Sequence, residues 1–249
     1  MDRQFLDFIL VPLGLLVMVG YHVWLLRHIL RRPNTTVVGV NAVNRRLWVR
    51  AMMEDTAKNG ILAVQTLRNN IMASTVLAST AIMLSSVIAV LMSGNGGGGG
   101  GVGGHRPIGA VYGDNSKLGL SIKFFAILVC FLVAFLLNIQ SIRYYSHASI
   151  LINVPKRKMG SNQDCVPVEY VGRIVNKGSY FWSLGLRVFY FSFPLFLWIF
   201  GPIPMFLCCL VLVFMLYFLD FTFDSGCVFA GCPQEEGIRH FSGDEEVSV

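Results

Sequence analysis

Residues 71–92, IMASTVLASTAIMLSSVIAVLM, run for 22 positions without a charge. As a helix rising 1.5 Å per residue the run reaches about 33 Å, enough for the roughly 30 Å hydrocarbon core of a bilayer. A helix apolar on every side belongs inside a large core or inside lipid. The rest of the chain decides between them. Apolar residues make up 54% of it and charged residues 14%, with a mean hydropathy of +0.61. A typical soluble domain carries about 25% charged residues, so this chain has too few to cover a globule.

Working outward, three more regions have the same character. Phe8 to Leu26 is apolar over 19 residues and is followed, not preceded, by Arg27, Arg31 and Arg32. That order, the length and the lack of a small-residue cleavage site favour a retained anchor over a signal peptide. Phe124 to Leu137 is strictly apolar and extends to a span over 122–142. The region from Tyr180 to Phe223 is too long for one crossing and holds Gly201-Pro202-Ile203-Pro204 at its middle. Prolines so close break a helix and favour a tight turn, which gives spans at 180–200 and 205–223. The expected fold is an all-α polytopic membrane bundle of five transmembrane helices with long cytoplasmic helix extensions. The alternative is four crossings, with part of the last region lying in the interface.

The net charge of +6 sits in connecting segments. Residues 27–70 carry eight Lys and Arg, 143–178 carry six, and 93–117 carry two. Excess Lys and Arg marks the cytoplasmic side, so the N-terminus and the loop after the second span are expected outside. Tyr21, Trp24, Tyr144, Tyr145, Tyr180, Trp182 and Tyr217 then fall at inner ends and Trp198 near an outer end, as an interfacial belt would. The glycine run 94–104 reads as a flexible extracytoplasmic linker, and 225–249 as an acidic disordered tail after a transmembrane domain over 1–224.

Several stretches resemble one family. They are MDRQFLDFILVPLGLLVMVGYHVWLL at 1–26, NRRLWVRAMM at 44–53, LAVQTLRNNIMASTVLASTAIML at 62–84, SIKFFAILVCFLVAFLLNIQSIRYYSHASILINVP at 121–155, and GSYFWSLGLRVFYFSFPLFLWIFGPIPMFLCC at 178–209. Together they look like the plant family of multi-pass membrane proteins called domain of unknown function 599. The likeness spans nearly the whole chain except the glycine loop and the tail. It implies a helical membrane fold and a plant origin, and brings no activity, substrate or catalytic residue.

Charges inside spans are costly, so they come first as candidates. Arg187 and Asp220 lie at nearly equal distances either side of the proline turn, which puts them at one depth of an antiparallel hairpin. They either pair across it or reach separately for the interface. Asp7 and His22 share the first segment but sit near its opposite ends. Ser74, Ala78, Ala81, Ser85 and Ala89 follow helical spacing and define a small-residue face, suited to close helix packing, to an oligomer contact, or to a polar pore lining.

The first basic loop reads as an amphipathic helix capped by Asn41, with Leu47, Trp48, Ala51 and Met52 on one face and Arg45, Arg46 and Arg50 on the other. Those arginines and Lys156, Arg157 and Lys158 are expected to meet anionic lipid at the inner leaflet. Residues 61–92 are expected to form one helix emerging from the membrane. Cys227 and Cys232, close after the last span, are candidates for acylation. The six cysteines show no CxxC spacing. There is no phosphate loop, dinucleotide fingerprint, HExxH or GxSxG motif. The function expected is that of an interaction or accessory membrane protein, with no cofactor, no nucleic-acid partner and no enzymatic role; a small channel or transporter using the polar face of the second span is the alternative.

Overall fold

The structure is a computed structural model and describes residues 3–96, 117–154 and 167–221. Six α-helices follow one another: α1 (Arg3–Arg31), α2 (Val37–Glu54), α3 (Thr56–Gly96), α4 (Lys117–Leu151), α5 (Val168–Leu197) and α6 (Pro202–Asp220). All but α2 are long and apolar enough to cross a membrane. Among the described residues there is no strand beyond an isolated bridge between Thr36 and Phe221. The chain is an all-α polytopic bundle with five spans.

The sequence explains where the elements start. Thr36, not Asn41, caps α2: its hydroxyl accepts from the Gly39 amide at 3.2 Å and donates to the Pro33 carbonyl at 3.0 Å. The 3-10 turn Pro33–Thr35 makes the chain helical earlier than the loop composition suggested, which leaves Asn41 in the second turn. Helix α5 stops at Leu197, and Gly201 turns the chain with a φ of 151° that a side chain would resist. Pro202 then opens α6, where its missing amide costs nothing and its ring presets φ. So the hairpin is made by residues 198–201, just before the two prolines.

In space the spans lie in the order α1, α6, α5, α4, α3, with α4 making the broadest contacts, to α5 and to α3. The α3–α4 seam has a seven-residue rhythm. Ala63, Leu67, Ser74, Ala78, Ala81, Ser85 and Ile88 are buried on α3, and Phe124, Ile127, Phe131, Ala134, Asn138, Ser141, Tyr145 and Ala148 on α4, with Ile152 just beyond its end. Spacings alternating between three and four keep a stripe facing a left-handed partner. Ala89 breaks that rhythm and is exposed, and Ile88 occupies the seam in its place.

Helices α2, α3, α4 and α5 continue past the spans into a compact cap built on Val49, Met53, Leu67, Tyr145, Ile152 and Val171. This is one end of the molecule; the other holds the C-terminal end of α3 and the N-terminal end of α4. Helix α2 packs into the cap through Val49 and Met53, whereas Leu47 and Ala51, expected on its apolar face, are exposed. In every span only 22–28% of the most apolar window is buried within the molecule. The outward faces carry side chains such as Val76, Met83, Leu136, Val211, Phe214 and Phe218, which only lipid or an apolar partner can cover.

Candidate functional site: one carboxylate shared by three helices

Asp220 is the last residue of α6, and its side chain is 7% exposed. An isolated carboxylate there would be prohibitively costly, so it gathers donors. Arg187 of α5 meets it through both terminal nitrogens, one at 3.0 Å from Oδ2 and the other in short contact with Oδ1. Tyr21 of α1 donates its hydroxyl to Oδ2 at 2.6 Å. The two-pronged guanidinium fits a carboxylate, and the phenol fills a lone pair that the guanidinium leaves open.

Toward the α2 end this cluster is covered by rings. Trp24 lies 6.2 Å from Tyr217 and 5.4 Å from Phe221, and His28 is 5.1 Å from Phe221 (centroid distances). His28 also shares a hydrogen bond with the Thr35 hydroxyl at 2.9 Å. Tyr21 itself is buried and not part of an interfacial belt; so is Tyr145, in the cap. Burial follows their place on seven-residue stripes: Val11, Gly14, Met18, Tyr21 and Leu25 all face inward on α1. That spacing is the signal by which Tyr21 could have been found. His22, the other polar group there, bonds the Met18 carbonyl of its own helix at 2.8 Å.

The small-residue face of α3 is spent within the chain. Ser74 and Ser141 share a hydrogen bond of 3.2 Å, and Ser141 donates to the Gly178 carbonyl at 2.8 Å, which ties α3, α4 and α5 together. Ser74, Ala78, Ala81 and Ser85 are all buried within the bundle, on the helix that packs broadly against α4. Four further hydroxyls of α3 are turned onto their own helix: Thr66, Thr75, Thr80 and Ser86 each donate to the carbonyl four residues back, at 2.9–3.0 Å. A hydroxyl satisfied this way no longer needs water.

The basic residues divide. Arg46 and Arg50 are exposed, Arg50 lying 3.5 Å from Glu169 in a solvent-side pair of little energetic weight. Arg45 instead turns inward, and its Nε donates to Asn176 Oδ1 at 2.8 Å. Lys156, Arg157, Lys158, Cys227, Cys232, the glycine run from residue 97 and the tail 225–249 lie outside the described residues. Among the described residues no group of three His, Cys, Asp or Glu side chains comes together to hold a metal.

At the opposite end Lys123 of α4 is 2% exposed, its ammonium 5.4 Å from the Trp198 ring. It shares an open pocket of about 490 Å³ with Asp7, Val11 and Pro12 of α1. Neither Lys123 nor its pocket was singled out by the sequence, because one lysine at the head of an apolar run looks interfacial.

Fold and site together define a polytopic α-helical membrane protein with an Arg187–Asp220 ion pair buried among three of its helices. A family model described as "Protein of unknown function, DUF599" matches residues 9–225, and the chain belongs to that family. No curated protein and no solved structure matches it.

Proposed function

We propose that the chain is a non-catalytic membrane protein that works by interaction, as an accessory or scaffold component, with its N-terminus extracytoplasmic and the α2 end in the cytoplasm. The observation behind this is the closure of the Arg187–Asp220–Tyr21 cluster, whose charges answer one another beneath a layer of aromatic rings. A transport path keeps its ionisable groups on water; these are withdrawn from it. The orientation rests on the Lys and Arg bias of the connecting segments. Thr36, the hydroxyl of the Asn34-Thr35-Thr36 glycosylation sequon, is buried as a helix cap, in keeping with a cytoplasmic loop. A plant source and a plasma-membrane or endomembrane location are part of the proposal, the first carried by family resemblance alone. Anionic lipid at the exposed basic residues and a membrane-protein partner or second copy on the apolar flanks complete it.

Flux through liposomes holding the purified chain tests the first half. It should match empty liposomes for potassium, chloride and protons. A saturable flux abolished by Arg187→Ala would replace this reading with a transporter. Acceptor sites for glycosylation placed in the glycine loop and in the tail test the orientation: the loop should be modified and the tail not, and the reverse pattern sinks it.

A further inference from the structure

Inside the junction of the cap and the spans lies a second cavity, of about 260 Å³, lined by Arg45 of α2, Asn70 and Ala73 of α3, Tyr145 of α4, and Ser179 and Trp182 of α5. Its lining is chemically one-sided. Arg45, Asn70, Tyr145, Ser179 and Trp182 all carry N–H or O–H donors, and no carboxylate lines it among the described residues. The indole Nε1 of Trp182 is buried with no hydrogen-bond partner. An indole N–H can only donate, so it stands ready for an acceptor.

Arg45 is the centre of charge. Its Nε is occupied by Asn176, whose own amide donates to the Ala42 carbonyl at 3.1 Å, so the guanidinium is fixed in direction where Arg45 lines the cavity. Burial pushes the Arg45 pKa down from its usual value, and the groups that offset this are Tyr145 and Tyr180, not an acid. Arginine is nonetheless cationic at neutral pH, and a half-buried cation without a counter-charge invites an anion. The floor is rigid: one helical turn away the Ser74–Ser141–Gly178 hydrogen bonds lock α3, α4 and α5.

Size narrows the occupant. Drug-sized ligands fill roughly 300–1,000 Å³, so this cavity suits a small headgroup or ion. A guanidinium fork with further donors around it matches the oxygens of a phosphate. We propose that this cavity is a phosphate-binding site, taking either the phosphate of an anionic lipid headgroup or free inorganic phosphate.

The test is the unfolding temperature of the full chain in neutral detergent, titrated with inorganic phosphate, with phosphatidic acid, with phosphatidylcholine, and with chloride at matched ionic strength. Phosphatidic acid or inorganic phosphate should raise it saturably, since a ligand of the folded state stabilises by mass action, while chloride and phosphatidylcholine should not. A rise with phosphatidic acid alone identifies the lipid source, and a rise with inorganic phosphate the free ion; both support the site. Arg45→Gln should abolish the rise. Trp182→Phe leaves the Arg45–Asn176 bond in place and should weaken binding about tenfold, so it carries the test if the arginine variant does not fold. No rise with either phosphate, or a rise unchanged in the variant that folds, overturns the assignment.

Discussion

The molecule carries a charged side chain deep in its apolar mass at each end, and the two ends treat it differently. Near the α2 end, Arg187 is held by Asp220 and Tyr21 and covered by rings. Near the glycine-loop end, Lys123 is just as deeply placed, but it shares an open pocket with Asp7 and rests its ammonium near the face of Trp198. The first arrangement is a joint that uses charge to fix three helices. The second leaves its charge beside a space that solvent or a ligand can enter. Burial alone therefore does not say how open a charge's surroundings are; the geometry around it does.

That contrast breaks most visibly at Asp220. Asp220→Asn removes the counter-charge of a buried guanidinium and should cost about 3–5 kcal/mol, seen as a large drop in unfolding temperature or loss of monodisperse protein. Exchanging the partners, Arg187→Asp with Asp220→Arg, should recover part of it; no recovery would mean that the two sites act independently. Tyr21→Phe keeps the ring and loses the hydroxyl, for about 1–3 kcal/mol in the same assay, because a charged acceptor loses a donor. At the open end Trp198→Leu removes the ring face beside Lys123, worth about 0.5–1 kcal/mol, and part of the Trp198 packing on the neighbouring core. A loss as large as that at Asp220 would show that this end is closed too. The smallest effect belongs to Thr75→Val on the outer face of α3, within about 0.5 kcal/mol, since its hydroxyl serves only its own helix. A marked effect there would place water or a partner against that face.

The amount legible in the sequence followed the range of the interactions. Uncharged runs such as 71–92 depend only on local composition, and the five spans were readable from them. The Arg187–Asp220 juxtaposition was also within reach, because Gly201 and Pro202 set a hairpin and a hairpin sets depth. Tyr21 was missed because it arrives from the other end of the chain, and composition marks it as interfacial. The seven-residue stripes could have revealed it, and would also have replaced Ala89 with Ile88. The inward turn of Arg45 was not legible for a related reason. Three arginines on one short helix look alike, and only the position of Asn176 on α5 singles out the one that turns inward.

The junction at Asp220 also has a consequence for how the protein is made. Helix α5 has the lowest mean hydropathy of the five spans, 1.2 against 2.1–2.7, and it carries Arg187. An arginine costs insertion about 2.5 kcal/mol at the centre of a span and less toward its end, so Arg187 adds to the weakness of α5 as a client of the translocon on its own. Its carboxylate partner emerges 33 residues later, at the end of α6. The last two spans are therefore best released to lipid together, as a pair, while Tyr21 waits on the first span to be synthesised. One carboxylate thus joins the first and the last of the five described spans.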